Sequence, residues 1–192
     1  MDSKDILRSN YDSNPTLHIN NYKGDKKLVR CVIIDGVFTT RDLLAFRDSA
    51  NTGMYDDQFW RWDFAETWTK ILLDEAADYF PLGGIYGYET WTHKNTRPES
   101  DYHNDWHYDK DEVRWERNHR LSFPMFTIVY YLKVENLVGG EIKLENGITV
   151  EPVQNRMVIF GHAIKHRVEE FTGERHSIII NPWARKLEGY KM

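Results

Sequence analysis

The stretch DWHYDKDE, residues 105–112, contains a histidine and an aspartate two positions apart, His107 and Asp109. In an extended segment the side chains alternate, so these two would point to the same side and could share one metal ion. A second histidine from another strand would complete a site of two histidines and one carboxylate. Such a site suits non-haem Fe(II), because its open positions can take a bidentate co-substrate together with O2.

The same region offers a second, overlapping pair, His103 and Asp105. A lone His-x-Asp pair is more often a surface pair than a metal site, and here two registers compete. We favour the later pair, because its bulky neighbours Trp106 and Tyr108 could form the walls of a site.

A downstream region supplies candidates for the remaining ligand. His162 and His166 follow an apolar run, and Arg175 begins another apolar strand nine positions after His166. From the residues alone, either histidine could be the third ligand. The other histidines are interpreted as surface or packing residues; they are His18, His93, His119 and His176.

The elements that must position these residues change in character near Gly84. Before it, residues 28–34 predict a buried strand, and the helix that follows has Thr39 and Asp42 at a spacing like that of a capping box. Between residues 62 and 80, apolar residues recur at helical spacing and predict a second amphipathic helix.

After Gly84 the sequence consists of short β-like runs separated by turns, including a hairpin predicted at Asn146-Gly147. Two helices followed by many short strands predict a mainly β fold, a sandwich or jelly roll with both helices packed on one sheet. We expect residues 1–27 to be an extended or flexible N-terminal arm and residues 28–192 to be a single domain.

Composition narrows the classes of function. The net charge of −5 argues against broad affinity for nucleic acid, and the basic stretch at residues 114–120 is interpreted as a solvated loop. No apolar run approaches the roughly 18 residues that cross a bilayer, and the N-terminus lacks a secretory signal, so we expect a cytoplasmic protein. Cys31, the single cysteine, is interpreted as a buried structural thiol.

Five short motifs, in the order HYD, YYL, GGEIKL, HRV and RHS, resemble the Fe(II)- and 2-oxoglutarate-dependent dioxygenases, especially their prolyl 4-hydroxylase-like branch. The resemblance covers roughly residues 85–183 motif by motif. The stretch VIIDGVFTTRDLLAFRDSA is also similar to the first strand and helix of that branch. The resemblance implies a double-stranded β-helix, that is, a cupin-like jelly roll.

The resemblance also implies the roles of particular residues. His107, Asp109 and His166 would hold Fe(II), and Arg175 would bind the distal carboxylate of 2-oxoglutarate. A planar guanidinium can grip a carboxylate through two parallel hydrogen bonds, which supports that role. Ser177 shares the face of Arg175 and could add a hydroxyl donor. The carboxylate-binding tyrosine would be Tyr131.

Tyr130, the neighbour of Tyr131, points to the other side of the strand and is interpreted as a core residue with a satisfied hydroxyl. The implied cofactors are Fe(II), 2-oxoglutarate as co-substrate and O2, with ascorbate as a candidate reductant. The implied partner is a peptide, protein or small-molecule substrate, and neither a membrane nor nucleic acid is expected.

The implied reaction is hydroxylation of an aliphatic C–H, of a prolyl residue in a peptide or protein or of a free amino acid, with decarboxylation of 2-oxoglutarate to succinate. A nucleobase or small-metabolite hydroxylase is an alternative, because aromatic walls suit a proline ring and a flat base alike. A jelly-roll binding module without activity is a second alternative. Arg175 argues against it, since a module that only binds a metal needs no carboxylate anchor. Residues 110–122 are a candidate lid.

Overall fold

The fold is known from a computed structural model that describes residues 16–24, 27–51, 58–61, 63, 66–95 and 105–190, with side chains from Cys31 onwards except that of residue 95. In chain order the elements are β1 (Thr16–Gly24), β2 (Lys27–Asp35), α1 (Thr40–Ala50), β3 (Gln58–Arg61), α2 (Thr67–Ala76), β4 (Gly87–Asn95), α3 (Glu112–Asn118), β5 (Phe126–Gly139), β6 (Ile142–Leu144), β7 (Thr149–Val150), β8 (Arg156–Gly161), β9 (His166–Val168) and β10 (Phe171–Trp183).

The strands form two antiparallel sheets. The major sheet has seven strands in the order β1-β2-β8-β5-β10-β4-β3, and the minor sheet has three in the order β7-β6-β9. Strands β8, β5 and β10 are neighbours in space although they are distant in sequence, which is typical of a jelly roll. The predicted fold class, a mainly β jelly roll with flanking helices, is confirmed.

One face of the major sheet is covered by α1 and α2, as the sequence predicted. Leu43 and Phe46 of α1 and Leu72 of α2 are buried in a single apolar cluster with alternate residues of β2, β5, β8 and β10. The capping prediction for α1 is confirmed, because the Thr39 side chain accepts a hydrogen bond from the Asp42 backbone N–H.

The second helix is shorter than the span predicted for it, residues 62–80. Its N-cap is Glu66, whose carboxylate accepts hydrogen bonds from the backbone N–H groups of Trp68 and Thr69. The helix therefore begins at Thr67, and residues 58–61 form the unpredicted strand β3, which pairs with β4. A strand of four residues is too short for its alternation to stand out from the sequence.

Helix α3 corrects the interpretation of residues 114–120 as a loop. The Asp111 carboxylate accepts a hydrogen bond from the Arg114 backbone N–H, and His119 ends the helix in the left-handed conformation with φ 53°. None of its seven residues is buried. An exposed helix of this length has no apolar period, so hydrophobic periodicity could not have indicated it.

The opposite face of the major sheet is turned towards the minor sheet. Val129, Phe160 and Ile179 of the major sheet form a second apolar cluster with Ile142 and Leu144 of β6. Because this cluster occupies only part of the space between the sheets, the rest is available to a site.

Two smaller predictions also concern this region. Gly139 and Gly140 have φ of 83° and 81°, and a Cβ on Gly139 would overlap the Glu170 carbonyl, so their role is conformational as predicted. Cys31 is buried, and burial raises the pKa of its thiol to about 12, as befits a structural cysteine.

In the segment predicted as an N-terminal arm, residues 16–24 form the edge strand β1, which pairs with β2. Residues 1–15 lie outside the described part of the chain. Among the described residues, no helix combines the length and the apolar character that a membrane span requires.

Candidate active site

A potential metal site lies where the segment before α3 meets strand β9. His107 and His166 form an isolated β-bridge, in which the backbone N–H of each donates to the carbonyl of the other, at 3.0 and 2.9 Å. This bridge places the two imidazole rings 4.4 Å apart between centroids. The Asp109 Oδ1 atom lies 3.7 Å from His166 Nε2, and the potential ligand atoms of all three residues lie within 4.8 Å of one another.

Hydrogen bonds to the backbone fix which nitrogen of each histidine is available to a metal. His107 Nδ1 lies 2.8 Å from the Asp105 carbonyl oxygen, and His166 Nδ1 lies 3.1 Å from the Ile164 carbonyl oxygen. Since a carbonyl only accepts, each Nδ1 donates and each Nε2 keeps its lone pair for a metal. Burial and the neighbouring His166 lower the pKa of His107, which favours its neutral, ligating form.

The aspartate is oriented in a similar way by a residue that the sequence did not indicate for this role. Thr127 of β5 donates its hydroxyl to Asp109 Oδ2 at 2.8 Å, so that Oδ1 is turned towards His166. Thr127 lies on the same face of β5 as Val129 and Tyr131, and this alternation was its only signal in the sequence.

The other end of the site is built around Arg175, which is only 5% exposed. Its Nη1 donates to the Gly140 carbonyl at 3.3 Å, while its Nε has no hydrogen-bond partner among the described residues. Burial lowers the pKa of Arg175, because the charge is held away from water. The guanidinium carbon lies 5.2 Å from the centre of the Phe171 ring and 6.0 Å from that of Tyr131.

The two other predicted co-substrate residues lie beside Arg175. Ser177 and Tyr131 are register partners on β10 and β5, both are fully buried, and neither hydroxyl has a partner in the described structure. Burial raises the pKa of Tyr131 to about 12, so its hydroxyl stays protonated and can donate. Ser177 belongs to the cavity wall described next, whereas Tyr131 is not part of that wall.

The metal cluster and Arg175 open onto one cavity of about 410 Å³ between the sheets. Its wall on the major sheet consists of alternate residues of three adjacent strands, namely Glu89, Trp91 and His93 of β4, Arg175, Ser177, Ile179 and Asn181 of β10, and Thr127 and Val129 of β5. Ile142 and Val168 of the minor sheet lie opposite, and Tyr108, Lys110 and Glu112 lie near the start of the candidate lid. This volume falls in the range of small-molecule sites.

Two competing ligand candidates, His162 and Asp105, lie outside the metal cluster. His162 lies outside the cluster of potential ligands, with its Nδ1 2.9 Å from the Pro124 carbonyl oxygen. Asp105 is exposed and contributes its backbone carbonyl to His107, and His103 lies outside the described residues. The structure therefore brings together the later His-x-Asp pair and His166.

The interpretations of the remaining residues differ in their outcome. Tyr130 is a core residue as predicted, since its hydroxyl donates to Asn155 Oδ1 at 2.8 Å. His93 was interpreted as a surface or packing residue, but it belongs to the cavity wall and its Nε2 accepts a hydrogen bond from Trp91 Nε1 at 3.1 Å. Glu89 and Asn181 also belong to the wall and were not predicted as site residues. Asn181 continues the alternation of Arg175 and Ser177, which could have indicated it.

The residues present fit the cofactors that the sequence motifs implied. Two imidazole nitrogens and one carboxylate oxygen match the donors that non-haem Fe(II) takes in proteins. At the Arg175 end, a buried cation lies beside the hydroxyls of Ser177 and Tyr131. Among the described residues, one N–H of the cation and both hydroxyls have no hydrogen-bond partner. Buried polar groups without partners are costly, so such a set matches an anionic ligand that accepts several hydrogen bonds.

Comparison with known proteins agrees with this geometry. Residues 92–185 match the family described as the 2OG-Fe(II) oxygenase superfamily. None of the curated proteins compared with the chain is significantly similar to it in sequence. A solved prolyl-4-hydroxylase from Pseudomonas putida is 19% identical, with a TM-score of 0.52, over 81% of this chain and 88% of that one. At this identity the likeness shows a shared fold.

Two further solved structures are more distant. One is described with the prolyl 4-hydroxylases of Phytophthora capsici; it is 18% identical over 79% of this chain and 58% of that one, with a TM-score of 0.47. The other is an oxidoreductase of the 2OG-Fe(II) oxygenase family from Burkholderia pseudomallei; it is 11% identical over 98% of this chain and 81% of that one, with a TM-score of 0.40.

Proposed function

We propose that the chain, whose residues 92–185 match the 2OG-Fe(II) oxygenase superfamily, is a dioxygenase that uses Fe(II), 2-oxoglutarate and O2, hydroxylates an aliphatic C–H bond and converts 2-oxoglutarate to succinate. The substrate that we propose is a prolyl residue in a peptide or protein, or a free amino acid. One observation carries the proposal: the cluster of His107, Asp109 and His166 and the buried cation Arg175 border the same cavity.

The ligand residues hold a metal with little reorganisation. Each Nε2 is left available by a backbone hydrogen bond at Nδ1, and Thr127 orients the Asp109 carboxylate. The chemistry that the bound metal supplies is oxidation of a C–H bond coupled to loss of CO2 from the keto acid. No side chain has to act as a general base, so the protein's part is to position the reactants and exclude water.

Arg175 binds the distal carboxylate of 2-oxoglutarate, and Ser177 and Tyr131 supply further donors. All three side chains are buried, and each carries at least one donor that has no partner in the described part of the chain, so the site is already arranged for an anion. The apolar residues Val129 and Ile179 lie in the wall of the same cavity and limit the access of water to it.

Two observations support an amino-acid or prolyl substrate. The cavity volume suits a small group better than a folded surface. The fold is that of a protein described as a prolyl-4-hydroxylase. The net charge of −5 does not favour a nucleic-acid substrate.

The test is incubation of the purified protein with Fe(II), 2-oxoglutarate, ascorbate and O2 in the presence of proline-containing peptides, free amino acids and nucleosides. Succinate and a mass gain of one oxygen in a peptide or amino acid are expected, and His166→Ala should produce neither. Oxygen gained only by a nucleoside would contradict the proposed substrate class. An inactive protein that still binds Fe(II) and 2-oxoglutarate would contradict the hydroxylase function itself.

A further inference from the structure

A polar corner of the cavity, formed by Glu89 and Asn181, has no part in the roles described so far. The two residues are register partners on β4 and β10, so their side chains share one face of the sheet, and both belong to the cavity wall. The corner lies at the far end of the β10 face from Arg175. Arg175 and Asn181 are six positions apart, a distance of about 20 Å along a strand.

Asn181 is fully buried, and neither its amide nitrogen nor its amide oxygen has a hydrogen-bond partner among the described residues. A buried amide without partners is costly, so such a group in a native cavity wall is expected to meet a ligand or an ordered water. The free amide oxygen can accept a hydrogen bond from a substrate N–H group.

Glu89 supplies the charge of the corner. The Tyr190 hydroxyl donates to Glu89 Oε1 at 2.9 Å and so holds the carboxylate in place. Besides the metal cluster and Arg175, the charged residues of the wall are Glu89, Asp105, Lys110 and Glu112. Lys110 forms an ion pair with Glu112 at 2.6 Å. The other two charged residues, Glu89 and Asp105, are both acidic.

The corner also lies close to the metal cluster. Ile180 of β10 pairs with Ile128 of β5, which brings Asn181 level with Thr127, the residue that holds Asp109. A 2-oxoglutarate molecule that reaches from the metal to Arg175 would extend away from this corner. The corner is therefore left to the substrate.

We propose that Glu89 and Asn181 bind a cationic nitrogen group of the substrate, an ammonium or a guanidinium, beside the metal. This inference rests on the hydroxylase function proposed above and specifies its substrate. Glu89 provides a charge-assisted hydrogen bond, and the Asn181 amide oxygen accepts a second N–H of the same group. The cation belongs either to the α-amine of a free amino acid or to a basic side chain of a peptide.

The test measures binding by calorimetry, without O2, to protein loaded with Fe(II) and 2-oxoglutarate. The first set of probes is L-proline, L-arginine and L-lysine, each compared with its N-acetyl form, which lacks the α-ammonium group. The second set is an N-acetylated proline peptide with lysine beside the proline, compared with the same peptide carrying norleucine. Preference within the first set identifies a free amino acid, and preference within the second identifies a basic peptide.

Three variants link the preference to the corner. Glu89→Gln retains an acceptor for Tyr190 and should weaken binding of the preferred cation about ten- to a hundredfold. Asn181→Leu has a similar volume and should weaken it severalfold. Glu151→Gln removes an equal charge from an exposed position outside both the cavity wall and the candidate lid, and should change nothing. The melting temperature of each variant shows that it is folded.

The outcomes separate the inference from the proposed function. Equal affinity within every pair of both probe sets in the wild type would overturn the inference, and so would a preference that survives in both Glu89→Gln and Asn181→Leu. If the cations bind through Glu89 but no probe gains oxygen when O2 is admitted, the corner is a cation site and the proposed hydroxylation of these substrates fails.

Discussion

The two faces of the major sheet are made by the same strands and have opposite properties. On the face covered by α1 and α2, β10 contributes Ile178 and Ile180, which are fully buried among apolar side chains. On the cavity face, the same strand contributes Arg175, Ser177 and Asn181, each buried with at least one polar atom that no described residue pairs with. The helix face therefore stabilises the fold, whereas the cavity face holds polar groups ready for a ligand.

Two adjacent tyrosines of β5, Tyr130 and Tyr131, show the same contrast between the helix face and the cavity face. Tyr130 packs on Phe38 and Phe46 and donates its hydroxyl to Asn155 at 2.8 Å. Tyr131 is equally buried, but its hydroxyl has no partner in the described structure. Because alternation alone separates the two residues, mutations on the two faces should divide into those that alter stability and those that alter binding.

The largest effect is expected at the metal ligands. Asp109→Ala and His107→Ala should abolish Fe(II) binding and turnover, because each removes one of three protein ligands from the site. Asp105→Ala is the control, since its side chain is exposed and its backbone carbonyl remains for His107. Fe(II) affinity measured without O2 tests this. Loss of iron from Asp105→Ala with retention in Asp109→Ala would place the site in the other register.

On the helix face, Leu72→Ala should lower the free energy of unfolding by about 2–5 kcal/mol, because it leaves a cavity under α2 where Leu72 is fully buried. The matched control is Leu44→Ala on α1, whose side chain is 52% exposed and should cost little. Urea denaturation gives both values. Fe(II) affinity of the folded variants should equal that of the wild type, and a marked loss of affinity in Leu72→Ala would show that the two faces are coupled.

At the far end of the cavity, Arg175→Ala should raise the dissociation constant of 2-oxoglutarate about ten- to a hundredfold, since it removes a charge-assisted, bidentate contact. Arg175→Lys should recover only part of the affinity, because lysine keeps the charge but lacks the planar fork. The measurement is an anaerobic titration of the Fe(II) protein that follows the charge-transfer band of the chelated keto acid. Fe(II) affinity should not change in either variant, because Arg175 is not a metal ligand. Unchanged 2-oxoglutarate affinity in Arg175→Ala would refute the anchor role.

The sequence predicts the helix face better than the cavity face, and the reason is the range of the interactions. The cap of α1 joins Thr39 to Asp42, three residues apart, so a local pattern reveals it. The pairing of Glu89 with Asn181 depends on the register between β4 and β10, which no local pattern contains. The contact of Thr127 with Asp109 likewise joins two segments through the tertiary fold.

The choice between His162 and His166 has the same origin. Both follow the same apolar strand, and their spacing alone favours neither. In the fold, the backbone bridge between His107 and His166 brings one of them to the metal cluster, while Pro124 lies beside the other. Sequence motifs could rank the two only through the family resemblance, because the bridge joins residues far apart in the chain.

The smallest effects are expected at the two tyrosines, where one deleted oxygen tests the comparison between the faces. Tyr130→Phe removes the hydrogen bond to Asn155 and should lower the free energy of unfolding by about 0.5–1.5 kcal/mol, without changing 2-oxoglutarate affinity. Tyr131→Phe removes a hydroxyl that has no partner in the described structure, so the stability of the protein without ligands should be unchanged or slightly higher.

If Tyr131 donates to the co-substrate carboxylate, Tyr131→Phe should also raise the dissociation constant of 2-oxoglutarate severalfold. Urea denaturation without ligands and the anaerobic titration, applied to both variants, give the four values. If the same variant showed the larger loss of both stability and 2-oxoglutarate affinity, the two faces of the sheet would not separate stability from binding. If Tyr130→Phe lost more stability and Tyr131→Phe lost more 2-oxoglutarate affinity, the Tyr131 hydroxyl would serve the ligand and the Tyr130 hydroxyl the fold.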